Sequence, residues 1–417
     1  MTDAQDRRVV ALVSGSHFVN HAYIVMLAPL VTVLAARFDV SIAAIGLAIG
    51  VQNAVVLALQ LPMGYLSDAY SRTLVLGVSL VVGTVGAALT ALSPTYAWLL
   101  VAQAILGVGI AGHHPAHYPL LAAVSTAETR GRAYSVHAFG GAVGLAAPYA
   151  VVAATTALGL SWRVAVGLVT LVGGVYAAYC LLGFRRVDDE ITQPGLAERP
   201  DDRPTLSSVP GRVRALVRTL TASRGILALT VLAFLTSTAA WTIRTYTPNL
   251  LAAGYGLPDG TASALTSAML VVGAGLILVG GALTDRVGAG PVVIGGYALL
   301  AAVAALLATL ELPTLALGIV LLLSGSISLS RPARSTLADL LSARADLGKN
   351  FALVTIGISL GGTVAPPLFG YLIGAVGLAP SFALVSLLGA ISIGLAWWIV
   401  RDAETATVAV AGVPGDD

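Results

Sequence analysis

Gly112-His113-His114-Pro115-Ala116-His117-Tyr118 sets three histidines and a proline inside an otherwise apolar run. Read 217 positions later, the chain says Arg331-Pro332-Ala333-Arg334, so His114-Pro115-Ala116-His117 has a second copy in which both imidazoles are guanidiniums. The same offset carries Gly64 to Gly281, Asp68 to Asp285, Gly131 to Gly348, Arg132 to Lys349, Gly140 to Gly357 and Gly144 to Gly361. The chain is therefore a tandem of two similar halves. Each half places a pair of basic side chains about one helical turn apart at an equivalent position. The expectation that follows is a shared, positively biased cavity lined by both pairs.

Composition decides the class. At 57% hydrophobic and 10% charged, with a mean hydropathy of +0.90 over 417 residues, the chain is far too apolar for a soluble domain. Apolar stretches of roughly 20 residues, enough to cross a bilayer, recur along it. Twelve are expected, near 9–36, 42–66, 73–92, 97–124, 133–157, 162–183, 225–252, 261–284, 291–310, 314–341, 350–374 and 381–400. The expected fold is thus an all-α polytopic membrane protein of two pseudo-symmetric six-helix bundles, over 1–183 and 225–401. A polar linker at 184–224 joins them, carrying a short surface helix near Val213 to Thr219, and a tail at 402–417 follows. No cleavable signal peptide is expected, because the segment after Arg7 and Arg8 is too long for a signal core. The lone Cys180 leaves no intrachain disulfide.

Charge sets the expected topology. With the N-terminus inside, Arg7, Arg8, Arg72, Arg130, Arg132, Arg286, Arg344, Lys349 and Arg401 fall on the cytoplasmic side, as do eight arginines from Arg185 to Arg224. Only Arg37 and Arg163 fall outside, the asymmetry of positive-inside insertion. Both termini are expected in the cytoplasm of a cell whose plasma membrane holds the protein.

Between the second and third spans lies Gly64-Tyr65-Leu66-Ser67-Asp68-Ala69-Tyr70-Ser71-Arg72, echoed by Gly281-Ala282-Leu283-Thr284-Asp285-Arg286-Val287-Gly288 between the eighth and ninth. This twice-used G-x-x-x-D loop, in a twelve-span chain with a long middle loop, resembles the major facilitator superfamily over essentially the whole sequence. The resemblance implies a latch that steadies one state of an alternating-access carrier, formed by Gly64, Asp68, Arg72, Gly281, Asp285 and Arg286. Ala69 and Ser71 stand where the first copy of the pattern usually has a basic residue and a glycine. His17, Asn20 and His21, with His114-Pro115, Arg130-Gly131-Arg132-Ala133 and His137, look more like the fosmidomycin-resistance-like branch. Proton-driven drug exporters of the family commonly have an arginine where this chain has Gln103.

The candidate site follows from the ionisable residues inside spans, which are costly there and therefore functional by default. All six histidines lie in the first, fourth and fifth spans, with His17 and His21 four apart on one face. Arg244 lies in the seventh span beside Trp241, and Arg331 and Arg334 in the tenth, where Asp339 can neutralise only one of them. By charge count the spans then hold more cations than acids, and an excess of positive charge in a low-dielectric interior favours an anion as partner. The expected function is a secondary transporter of a small anionic or acidic solute, contacted by His17, Asn20, His21, His114, His117, Tyr118, Trp241, Arg244, Arg331 and Arg334. His21, His114, His117 and His137 are candidates to carry a coupled proton, since imidazole titrates near neutral pH. The expected partners are this solute, the lipid bilayer and protons, with no nucleic acid, no cofactor and no resident metal. Two rivals keep the fold: a drug/proton antiporter, and a divalent metal transporter using His113 and His117 with His17 and His21. An intramembrane enzyme is disfavoured, because there is no H-E-x-x-H and no acid near the histidines to act as general base.

Overall fold

The computed structural model describes residues 3–126, 129–193, 211, 214, 218, 224–341 and 347–411. Most of the linker, including most of the surface helix expected near Val213 to Thr219, lies outside the described residues. Among the described residues, twelve helices are long and apolar enough to cross a membrane, matching the twelve expected from sequence. They are α1 (Ala4–Phe38), α2 (Ile42–Ala69), α3 (Arg72–Ala91), α4 (Tyr96–Ala123), α5 (Arg130–Ala157), α6 (Trp162–Phe184), α7 (Arg224–Gly254), α8 (Asp259–Val287), α9 (Ala289–Ala308), α10 (Thr314–Leu340), α11 (Leu353–Val376) and α12 (Leu378–Asp402). In every one the apolar run supplies the length, and the backbone must satisfy its own polar groups because lipid offers no partner.

Hydroxyl residues start several of these helices. The side chains of Ser41, Ser71 and Thr95 accept from the backbone N–H of Ala44, Leu74 and Trp98, satisfying amides that have no partner within the first turn.

Among the described residues, the interruptions of α geometry within a span all fall in α1, α4, α7 and α10. A 3-10 turn occupies Ala28–Leu30 in α1, a break sits at Gly112 in α4, a π turn covers Leu250–Gly254 in α7, and a 3-10 turn covers Gly325–Ser328 in α10. Each lies beside a proline: Pro29, Pro115, Pro248 and Pro332. The cause is clearest in α4 and α10. Proline has no N–H to give the carbonyl four residues back and its ring crowds that carbonyl, so Pro115 disturbs the turn at Ala111 and Pro332 the turn at Ser328. The two breaks stand at Gly112 and Leu329, separated by the same 217 positions as the motif itself.

By spatial contact the described chain forms two compact units: Met1–Asp202 with Thr242–Ala274 and Thr363–Leu378, and Arg203–Trp241 with Gly275–Gly362 and Ala379–Asp417. In the first unit, α3 and α4 touch backbone to backbone through Gly83, Gly86 and Gly109. The stretch 242–274 joins this unit through hydrogen bonds, Tyr149 Oη donating to the Arg244 carbonyl at 2.6 Å and Ser267 Oγ to the Ala146 carbonyl at 3.0 Å, and Tyr246 Oη in turn donates to the Pro366 carbonyl of 363–378. The second unit is centred on Leu229, Leu232, Val293, Tyr297, Leu337 and Ile399, all buried.

Candidate functional site

The site in the first unit begins with three glycines. A side chain at Gly140 would meet the Ser14 carbonyl at 2.7 Å, one at Gly144 the Phe18 carbonyl, and one at Gly141 the imidazole of His17. Their absence of side chains lets α1 lie directly on α5, as small residues do between membrane helices. That approach puts two α1 imidazoles onto α5 carbonyls: His17 Nδ1 lies 2.9 Å from the His137 oxygen, and His21 Nδ1 lies 2.9 Å from the Gly141 oxygen. Both pairs are four residues apart, so the two contacts repeat along one groove.

The three histidines that follow the break in α4, and His137 of α5, meet at the same place. The six rings form one cluster: the His17 ring centre lies 3.9 Å from that of His137, stacked, and 4.1, 5.1, 5.5 and 5.6 Å from those of His21, His117, His114 and His113. His113 and His117 are wholly buried, His17 and His137 nearly so, and His21 and His114 are half-buried.

Hydrogen bonds divide the cluster into two arms, with ring protons assigned from the network. In the first arm Ser16 gives its hydroxyl proton to the Val13 carbonyl at 2.9 Å, so its oxygen accepts from His113 Nε2–H at 3.0 Å. His113 Nδ1 then accepts from His117 Nδ1–H at 2.8 Å, and His117 Nε2 accepts from His137 Nε2–H at 3.0 Å. Each ring carries one proton and is neutral, and the arm ends at His137 Nδ1, a buried nitrogen without a hydrogen-bond partner. The second arm is His17 and His21, whose Nε2 atoms face each other at 2.9 Å.

Around this cluster, Tyr118 is exposed but its ring lies 4.2 Å from that of His117 and stacks on Tyr134 at 6.0 Å. Asn20 is buried, with Oδ1 lacking a hydrogen-bond partner. Gln103 is buried and donates to Thr90 Oγ1 at 2.9 Å, a contact between helices. Ser16 escaped the sequence reading, and His113 entered it only under the metal rival. Ser16 carried no signal of its own, but His113 did: it is four residues from His117 in an apolar span.

In the second unit, Arg334 is half-buried and donates from Nη1 to Thr236 Oγ1 at 3.0 Å. Arg331 is exposed one turn away, and Trp241 is buried. Thr236 is a further residue that the sequence reading missed. Arg244, in the first unit, is half-buried. The repeated G-x-x-x-D stretch, expected as a loop, lies mostly within the ends of α2 and α8, because the helices run on to Ala69 and Val287; there Asp68, Asp285 and Arg286 are exposed, while Arg72, at the start of α3, is buried and donates to the Ile191 carbonyl at 3.3 Å. Gly64 lies against Pro115, and Ser67 Oγ donates to the Pro115 carbonyl at 3.2 Å, tying the first loop to the histidine-bearing helix. Gly281 stands in open space. The string Gly357-Ile358-Ser359-Leu360-Gly361 has the spacing of a hydrolase nucleophile elbow. It lies within α11, and its glycines pack on the Thr230 and Phe234 carbonyls of α7, so it is a helix contact and not a strand-to-helix turn.

Comparison with known proteins agrees with this architecture. The family described as the Major Facilitator Superfamily matches residues 13–258 and 229–415. Similar solved structures include a bacterial homolog of the human lysosomal transporter Spinster, inward-facing and unoccupied, at 15% identity with a TM-score of 0.77, covering 96% of this chain and 98% of that one. The occupied form of the same protein gives 15% identity and 0.76. A point mutant of the nucleoside transporter NupG gives 13% identity and 0.73, over 94% of this chain and 99% of that one. At these identities the likeness is one of fold. No curated protein matches the chain.

Proposed function

The chain belongs to the major facilitator superfamily, a family of secondary active, alternating-access transporters and not of enzymes, and from that premise we propose that it moves a small anionic or acidic organic solute. The observation that carries this reading is the pair Arg331 and Arg334, one helical turn apart within a membrane span. The guanidinium of Arg334 is held by a neutral threonine hydroxyl, a contact that orients the charge without cancelling it. A lipid-facing arginine costs about 2.5–3.5 kcal/mol on insertion scales, so two in one span need a use. An anion that accepts from both guanidiniums supplies it, with charge-assisted bonds roughly twice as strong as neutral ones.

From its place in the seventh span, Arg244 is a further candidate cation, and Trp241 and Tyr118 are candidate aromatic contacts, each within its own unit. Asp68 and Arg72, with Asp285 and Arg286, act as the latch on the face that we assign to the cytoplasm along with both termini. The likeness of the short strings around His17, His114-Pro115 and His137 to the fosmidomycin-resistance-like branch supports this reading and makes phosphonates the first probes.

A thermal-shift screen of the detergent-purified protein against carboxylates and phosphonates tests the reading. A solute that raises the melting temperature of the wild type should do so at least about tenfold less potently in Arg331→Gln and in Arg334→Gln. Equal potency in the variants, or a response confined to cationic compounds, points instead to a drug/proton antiporter.

A further inference from the structure

His17 and His21 are locked by their backbone partners into a geometry that calls for a cation. A carbonyl oxygen can only accept, so the bonds to the His137 and Gly141 oxygens make Nδ1 the N–H of both rings. A neutral ring with its proton on Nδ1 has a lone pair on Nε2. Those two lone pairs point at each other across 2.9 Å, a repulsive contact unless something positive lies between them. No such demand arises in the Ser16–His113–His117–His137 arm, where donors and acceptors alternate with every ring neutral.

A third imidazole reaches the same point. The ligand nitrogens of His17, His21 and His114 all lie within 4.8 Å of one another. We infer that these three side chains, on α1 and α4, form a binding site for a divalent transition-metal ion. Imidazole nitrogens without a carboxylate select zinc, nickel or cobalt over magnesium or calcium, which want oxygen. The two Nδ1–H···O=C bonds are the outer contacts that metal-bound histidines use to fix tautomer and ring orientation. Zinc bonds of about 2.0–2.1 Å at a tetrahedral angle would set two nitrogens roughly 3.3 Å apart. The His17–His21 pair therefore opens by only a few tenths of an ångström, while His114 turns inward. Three ligands leave a fourth position open, as in zinc sites that keep a place for water or a substrate group; the metal site does not rest on the anion reading.

The test uses the full-length protein in detergent, stripped with a chelator and with no organic anion present. Zinc is followed by calorimetry and cobalt by its visible absorption, with magnesium as control. One zinc or cobalt ion per chain is expected, with cobalt bands typical of four- or five-coordinate nitrogen ligation. Affinity should fall at least about tenfold in His114→Gln and in His21→Gln, each checked for a monodisperse elution profile. His114→Gln is the safer variant, because that ring lies outside both backbone-anchored contacts. Failure of the wild type to bind zinc or cobalt overturns the site, as does undiminished binding in both variants. A shared proton between His17 and His21, seen as one protonated pair by nitrogen NMR in a protein that takes up no metal, is the specific result that would replace it. Because no anion is present, loss of the metal site leaves the anion reading standing, and the reverse holds for Arg334→Gln.

Discussion

The α1–α5 contact and the α7–α11 contact are the same device loaded with different chemistry. Gly140 and Gly144 face the Ser14 and Phe18 carbonyls, and 217 positions on Gly357 and Gly361 face the Thr230 and Phe234 carbonyls. His21 Nδ1 donates to the Gly141 oxygen, and at the matching place Ser237 Oγ donates to the Ile358 oxygen at 2.7 Å. His117 lies in a ring-to-ring chain, whereas its counterpart Arg334 holds Thr236. Backbone approach through glycine is thus common to both halves, while the polar payload is free to differ. One half concentrates neutral nitrogen ligands, the other permanent positive charge.

If that comparison is right, the glycines should be equivalent in cost. Gly140→Ala and Gly357→Ala each press a methyl into a backbone carbonyl that cannot rotate away, and each should destabilise the detergent-solubilised protein by about 1–3 kcal/mol, read as a fall in melting temperature. A loss in one half only would break the equivalence.

The repeated loop gives a contrast of smaller size. Gly288 has φ +86°, a left-handed conformation that costs a residue with a β-carbon about 1–2 kcal/mol, so Gly288→Ala should lower stability by that amount. Its counterpart, Ser71, has φ −163° and caps α3 with its hydroxyl, so the first loop never needed the glycine that the family pattern puts there. Ser71→Gly, which loses only the cap, should cost a few tenths of a kcal/mol. Similar losses at both positions would show that the two loops share a conformation after all.

A single hydrogen bond sharpens the payload side. Ser237→Ala removes one hydrogen bond to a carbonyl already used within its helix, and about 0.5–1.5 kcal/mol should disappear from stability without loss of metal binding. A fall in zinc affinity would link the two payloads in a way that this comparison denies.

Much of this was legible early because it depends on local rules. Hydropathy gives spans through transfer energetics, and a 217-residue offset gives tandem halves through simple alignment. Proline gives the breaks in α4 and α10 through its missing N–H. What stayed hidden depends on which faces meet. The histidines were visible as a set, but the contact of His117 with His137, the part played by Ser16 and the seat of Arg334 on Thr236 were not. The departure at Ser71 is plain in the sequence, but only the backbone angle shows that its place is a serine cap.

By itself, then, the sequence determined the class, the number of spans, the repeat and which residue types were too costly to bury idly, because each follows from the chain's own composition and order. Only the tertiary structure decided which nitrogen of His17 and of His21 holds its proton. A tautomer is set by the group on the far side of the ring, and for His17 and His21 those groups are carbonyls 120 residues away on another helix.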